Sequence, residues 1–94
     1  NIDMILKEVC SHFSVTLGDI RSSKRIKSIM VPRQVAMYLS RKMTDSSLVS
    51  IGEKLGGKDH ATVLHSIKKI DSELNVKKEL KNTVEKIVQR LKST

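Results

Sequence analysis

The chain has 94 residues, 38% of them hydrophobic, and 18 Lys and Arg against 10 Asp and Glu give a net charge of +8. That length holds one domain with one modest core and excludes two, the apolar share excludes wholesale disorder, and no apolar run approaches the ~20 residues of a membrane span. The single cysteine, Cys10, excludes an internal disulfide and fits a reducing compartment, the cytoplasm.

The apolar pattern is helical nearly throughout. Ile2, Ile5, Leu6, Val9 and Phe13 recur at three- and four-residue steps and predict a first helix over about 2–13. Thr16 with Asp19 three residues later resembles a capping box and predicts a short second helix, broken near Arg21–Ser23. Pro32 suits the first turn of a helix, so the third is expected over about 30–43, with Val35, Ala36, Leu39 and Met43 on its apolar face. Ser47 can cap a short fourth helix carrying Leu48, Ile51 and Leu55, which Gly56 and Gly57 end. Asp59 is a good N-cap for a fifth, with Val63, Ile67, Ile70 and Leu74 on one side. A sixth is expected over about 76–92 on Leu80, Val84, Ile87, Val88 and Leu91. The fold class is all-α, with about six helices in a single domain, 1–94. The short helix, glycine turn and longer helix at 47–72 match the layout of a helix-turn-helix, which any αα-hairpin shares; the expected kind is Trp-repressor-like.

The bases are unevenly spread. Residues 21–42 carry Arg21, Lys24, Arg25, Lys27, Arg33, Arg41 and Lys42 and no acid, whereas residues 60–94 mix both signs as a solvated surface does. An acid-free stretch of this density points to a polyanion. Phe13 and Tyr38 are the only aromatics, too few for the stacking platform that single-strand binders use, so a duplex is favoured. In a helix-turn-helix the start of the second helix enters the major groove; here that start is Lys58, Asp59, His60, Ala61 and Thr62.

The run Ile51-Gly52-Glu53-Lys54-Leu55-Gly56-Gly57-Lys58-Asp59-His60-Ala61-Thr62-Val63-Leu64-His65-Ser66-Ile67-Lys68-Lys69-Ile70 resembles the signature of the C-terminal DNA-binding domain of the bacterial DnaA replication initiators. Ser23-Lys24-Arg25 and Pro32-Arg33-Gln34-Val35-Ala36-Met37-Tyr38-Leu39 resemble the basic loop and long helix of the same domain, and the similarity covers roughly residues 2–92. The resemblance implies monomeric, sequence-specific binding to short asymmetric AT-rich boxes in a replication origin. The helix-turn-helix would read the major groove while the basic loop reaches the adjacent minor groove. It assigns base contacts to Arg25 (minor groove), Asp59, His60, Ala61, Thr62 and, at the start of the first motif helix, Val49. It places Lys24, Arg33, Gln34, Leu48 and His65 at or near phosphates, and we expect Lys27, Arg41, Ser47, Lys58 and Lys69 there too. It also implies a separate ATPase domain N-terminal to this segment, through which the parent protein binds ATP; other domains would carry oligomerisation. A chain that begins at Asn1 is accordingly expected to be a piece of something larger, nucleoid-associated in the cytoplasm. Two positions depart from the family pattern. Ala61 stands where threonine is common, and Val49 where proline is frequent.

Other readings are available for several of these residues. Gly52 to Lys58 nearly spells a phosphate-binding P-loop, but Asp59 stands where Ser or Thr must hold magnesium, and a helix stands where a strand should precede. His60 and His65 lie about 140° apart on a helix, a poor fit for a shared metal, and Cys10 with His12 lacks further ligands, so no metal or cofactor is expected. No catalytic constellation is evident, and the segment is not expected to be an enzyme. Arg25 could be one more solvated loop charge, His60 a solvated helix-start residue, His65 a packing histidine and Asp59 a cap alone. The alternative functions are a dimeric helix-turn-helix repressor, and a basic module that lays helix 76–92 on an anionic membrane or acidic partner.

Overall fold

The computed structural model describes residues 1–93, with no strand among them. Six helices follow one another: α1 (Ile2–Phe13), α2 (Leu17–Arg21), α3 (Lys27–Met43), α4 (Leu48–Lys54), α5 (His60–Glu73) and α6 (Lys78–Lys92). None of them is long and apolar enough to cross a membrane.

Local chemistry sets most of the boundaries. Asn1 opens α1 by accepting the Met4 N–H at 3.0 Å. The Thr16 hydroxyl accepts the Asp19 N–H at 3.0 Å while the Asp19 carboxylate accepts the Thr16 N–H at 3.2 Å, which is the expected capping box. Ser47 caps α4 through the Ser50 N–H, and Asp59 caps α5 through the Thr62 N–H at 2.8 Å. Between α4 and α5, Gly56 and Gly57 take φ of +88° and +83°, left-handed values that a side chain resists.

Two helix starts differ from expectation. α3 begins at Lys27, a turn before the predicted position, because the Ile26 carbonyl accepts the N–H groups of Ile29 (3.0 Å) and Met30 (2.8 Å). Pro32 therefore lies inside the helix, with its ring fully buried, rather than in the first turn. The N–H it lacks would have met the Ser28 carbonyl, and Ser28 is exposed, so water can take that place. α6 begins at Lys78 rather than 76, since Val76 closes a turn onto the Glu73 carbonyl and stands 79% exposed.

The core sits around α3, which packs on α1, α2, α4 and α5, its largest contact being with α5. Nine of its residues between Ile29 and Ser40 are buried, because neighbours cover it on nearly every side. Val35, Ala36, Met37 and Leu39 face Leu6 and Val9 of α1, Ile51 of α4, and Val63 and Ile70 of α5 within one cluster. Truncating a fully buried leucine such as Leu39 to alanine costs about 2–5 kcal/mol. Met43, expected on the apolar face, is exposed at the last helical position, and Ile29 and Met37 are buried in its stead. α6 closes the bundle against α1 through Val84 and Ile87, and Arg90 donates to Glu8 at 3.0 Å.

The helix-turn-helix depends on close backbone approach. The Gly52 carbonyl accepts the N–H groups of Gly57 and Lys58, each at 2.9 Å, and the Lys58 carbonyl rests on the Gly52 Cα. A Cβ at Gly52 would stand 1.9 Å from that oxygen, so any side chain there forces α4 and the turn apart. Gly56 plays the same part toward α2, where an added Cβ would meet the Arg21 carbonyl at 2.1 Å.

Candidate nucleic-acid interface

An open groove of ≈ 580 Å³ runs between the basic loop after α2 and the start of α5. Arg25 and Ser23 form one wall, Lys58, Asp59, Ala61, Thr62, His65, Ser66 and Lys69 the other, and Met30, Arg33, Gln34 and Met37 the floor. Nine residues expected at a nucleic acid are thereby brought together from three separate stretches of chain: Arg25, Arg33, Gln34, Lys58, Asp59, Ala61, Thr62, His65 and Lys69. Ser66, Met30 and Met37 are additions to the residues expected there, and Ser23 was expected only as part of the basic loop. For Ser66 the signal was present, since Thr62, Ser66 and Lys69 step by four and three and must share a face.

The helix wall offers short polar groups at a positive helix end. Asp59, His60, Ala61 and Thr62 are exposed at the first turn of α5. Only one carboxylate oxygen of Asp59 takes the capping bond from Thr62. Hydrogen bonds from Thr62, its N–H above all, hold the Asp59 carboxyl below its ordinary value, so it stays ionised in the groove.

On the floor and at the turn, two cations expected at phosphates are turned inward. Arg33 is 7% exposed, and its guanidinium donates to the carbonyls of Ile20 (Nε, 2.8 Å), Lys24 (Nη1, 2.9 Å) and Asp19 (Nη2, 3.2 Å). Burial pulls its pKa down, yet a guanidinium remains charged at any working pH. Its donors tie the end of α2 to the loop carrying Arg25, so it reaches the groove as a brace and not as a free cation. Lys58 is half-buried, and its ammonium donates to the carbonyls of Arg21 and Leu55, each at 3.0 Å. Burial, then the nearby Arg33 charge, lowers its pKa. Gln34 is also buried, and its Oε1 has no hydrogen-bond partner among the described residues.

The other expected residues lie outside the groove lining. Lys24 is exposed with its ammonium 3.7 Å from Asp19, and Lys27 is exposed at the first position of α3. Arg41 donates to the Ser46 carbonyl at 2.9 Å and so holds the loop that leads into α4. The Ser47 hydroxyl is taken by the cap of α4, Leu48 is half-buried, and Val49 beside it is 57% exposed. His60 is exposed at the first position of α5.

The chain matches a protein-family profile described as "Bacterial dnaA protein helix-turn-helix" over residues 2–70. It is 46% identical over 92 residues to the chromosomal replication initiator protein DnaA of Geotalea daltonii, covering 98% of this chain and 21% of that protein. The protein of the same name from Limosilactobacillus reuteri is 50% identical over 93 residues, with coverages of 99% and 21%. That of Geobacter metallireducens is 49% identical over 84 residues, 89% of this chain and 19% of the relative. The chain thus spans about a fifth of the length of these curated relatives.

Proposed function

This chain belongs to the bacterial DnaA helix-turn-helix family, and from that premise we propose that it binds duplex DNA at short asymmetric AT-rich origin boxes, one monomer per box. The observation that carries this reading is the single groove bounded by Arg25 of the basic loop on one side and Asp59, Ala61 and Thr62 of α5 on the other. A helix start that presents small polar side chains suits base edges in a major groove. The Arg25 side chain, on an exposed loop with no acid in residues 21–42, suits the concentrated negative potential of a narrow AT-rich minor groove. Arg25, Asp59, His60, Ala61, Thr62 and Val49 read bases. Lys24, Lys27, Gln34, His65 and Lys69 meet phosphates, and Leu48, Ser47 and Arg41 lie where α4 would cross the backbone. Arg33 and Lys58 order the interface from within.

In the intact protein this segment anchors an initiator to chromosomal DNA in the cytoplasm. ATP binding and oligomerisation belong to other parts of that protein, and the segment itself performs no catalysis.

A titration of origin-box DNA and its scrambled version across a salt series tests the reading. The expected result is preference for the box, with log affinity falling against log salt by about 0.9 per phosphate contact over several contacts. ATP should change nothing. Equal affinity for box and scrambled DNA, a flat salt response, or ATP hydrolysis by the segment would overturn it. So would a 2:1 complex on one asymmetric box, the result expected of a dimeric repressor.

A further inference from the structure

We propose that Lys58 is a positioning residue that clasps the basic loop to the helix-turn-helix, and so fixes the span between the Arg25 side chain and the reading face of α5. The proposal rests on the DNA-binding reading of the groove.

Lys58 is fixed at both ends. Its backbone is locked onto α4, because its N–H donates to the Gly52 carbonyl at 2.9 Å and its own carbonyl lies against the Gly52 Cα. Its side chain runs the other way, to the Arg21 carbonyl at the last residue of α2. That same carbonyl sits against Gly56, where a Cβ would meet it at 2.1 Å. The Arg21 side chain returns the tie by donating from Nε to the Lys54 carbonyl at 2.9 Å. Arg21 is thus held on three counts by residues 54–58, and Arg25 follows it by four residues. Lys58 immediately precedes Asp59, the cap of the recognition helix. The ammonium has three N–H donors, and two are already taken. A lysine so placed, half-buried and lowered in pKa by burial, is a joint between two reading elements.

A phosphate contact and a joint leave different signatures. Removing a phosphate contact weakens all sequences alike and lowers the salt slope by about 0.9. Removing a joint leaves scrambled DNA nearly untouched, because scrambled DNA makes no use of a fixed span between two readers. Losing hydrogen bonds from a charged donor then shows on the box alone, as a loss of about tenfold. It also depends on Arg25. In an Arg25→Ala background there is no second reader to position, so the same substitution loses little further affinity.

The experiment measures Lys58→Met, Arg25→Ala and the double variant on box and scrambled duplexes across a salt series. Thermal melts are run in parallel. The expected result for Lys58→Met is a selective loss on the box, a salt slope changed by well under the ~0.9 of one contact, and marked non-additivity with Arg25→Ala. Arg21→Met cuts the return tie while leaving the Lys58 charge in place. It serves as the second variant should Lys58→Met fail to fold, and it should reproduce both the selective loss and the coupling. Equal losses on both duplexes, a slope lowered by one contact, or additivity with Arg25→Ala in the variant that folds would overturn the proposal. So would two variants that both unfold, since Lys58 would then be a pillar of the fold and not a joint. Failure of the DNA-binding reading is separate. In that case the unsubstituted chain itself would not prefer the box.

Discussion

The helix wall of the groove carries its own order, whereas the loop wall borrows it. α5 is capped by Asp59 and anchored in the core by Val63, Ile67 and Ile70, so its first turn stands where its own residues put it. Residues 22–26, which carry Arg25, include no buried side chain, and Ile26 is 59% exposed. Ser22 gives that loop local bonds, donating to the Asp19 carbonyl and accepting the Lys24 N–H. The rest of its hold comes through the Asp19, Ile20 and Arg21 carbonyls of α2 and its own Lys24 carbonyl, gripped by Arg33 from α3 and Lys58 from the turn. A wall built on its own cap and core tolerates change at its surface. A wall built on borrowed donors fails when a distant residue is altered.

The sharpest way to break the contrast is Arg33→Met, which keeps the buried aliphatic stem and removes the guanidinium. The carbonyls of Ile20 and Lys24 lose their Arg33 donor, whereas that of Asp19 keeps the Ser22 N–H and hydroxyl, and a buried acceptor left unpaired costs about 1–3 kcal/mol. We expect a drop in stability of at least about 2 kcal/mol by urea denaturation. Amide exchange should quicken in residues 20–25 well beyond that in α5. An unchanged midpoint, or exchange that quickens equally in both walls, would show that the loop has some other source of order.

Next in size are the exposed cations of the loop itself. Arg25→Ala should lower box affinity about tenfold or more and flatten discrimination between AT and GC pairs at the box edge beside the loop, as loss of a base reader does. Lys24→Ala, whose ammonium is exposed beside Asp19, should weaken box and scrambled DNA alike. Neither should move the melting temperature much, because Arg25 is exposed and the Lys24–Asp19 ion pair is a solvated one that contributes little. Titrations on single-substitution boxes decide between them, and equal losses for Arg25→Ala on both duplexes would end its minor-groove role.

On the helix wall, Asp59 separates capping from reading. Asn and Ser cap about as well as Asp, so Asp59→Asn and Asp59→Ser should leave the melting temperature at neutral pH nearly unchanged. If the uncapped carboxylate oxygen accepts from a cytosine N4, Asp59→Ser should lose discrimination at one C·G pair by roughly tenfold, while scrambled DNA binds as well or better. Affinity equal or better on every duplex would leave the cap as its whole role. The pH response follows from the direction of the shift. Because its folded-state pKa lies below the unfolded value, Asp59 contributes stability that is present at neutral pH and is lost as pH falls below about 4. Asp19 behaves alike through Thr16. Asp59→Asn should remove part of that acid-side decline in a series of melts from pH 6 to 2.

These contrasts also mark what could be read in advance. The helices were legible because each carries its own signal: period, cap residue or paired glycines at Gly56 and Gly57. The groove-facing side of α5 was legible for the same reason, and Ser66 could have joined it by spacing alone. The inward turn of Arg33 and Lys58 was not legible. Sequence shows a cation, but whether its donors meet phosphate or chain carbonyls depends on residues 13 and 37 positions away. The early start of α3 was hidden by Pro32, which signals a first turn and here lies inside a helix whose exposed Ser28 carbonyl can do without its N–H. The net charge likewise overstated the free cations in residues 21–42, since Arg21, Arg33 and Arg41 each donate to backbone carbonyls.

The smallest effect is expected at Ala61, and it tests how self-sufficient the helix wall is. Ala61 is exposed at the second position of α5 and lines the groove, so a larger side chain there meets no core atom. A threonine in the first turn loses a little rotamer freedom, and surface substitutions of this kind move stability by no more than about 0.5 kcal/mol. Its methyl can still touch a thymine methyl, and its hydroxyl adds a donor and an acceptor toward a base edge or phosphate. Ala61→Thr should therefore leave the melt unchanged and hold or tighten box binding by a few-fold. Circular dichroism paired with a binding titration checks both halves. A loss of more than about tenfold with an unchanged melt would mean that the rest of the wall is arranged around alanine, with the added atoms displacing a contact worth about 1.4 kcal/mol or more. The helix wall would then be as dependent on its neighbours as the loop wall is on Arg33 and Lys58.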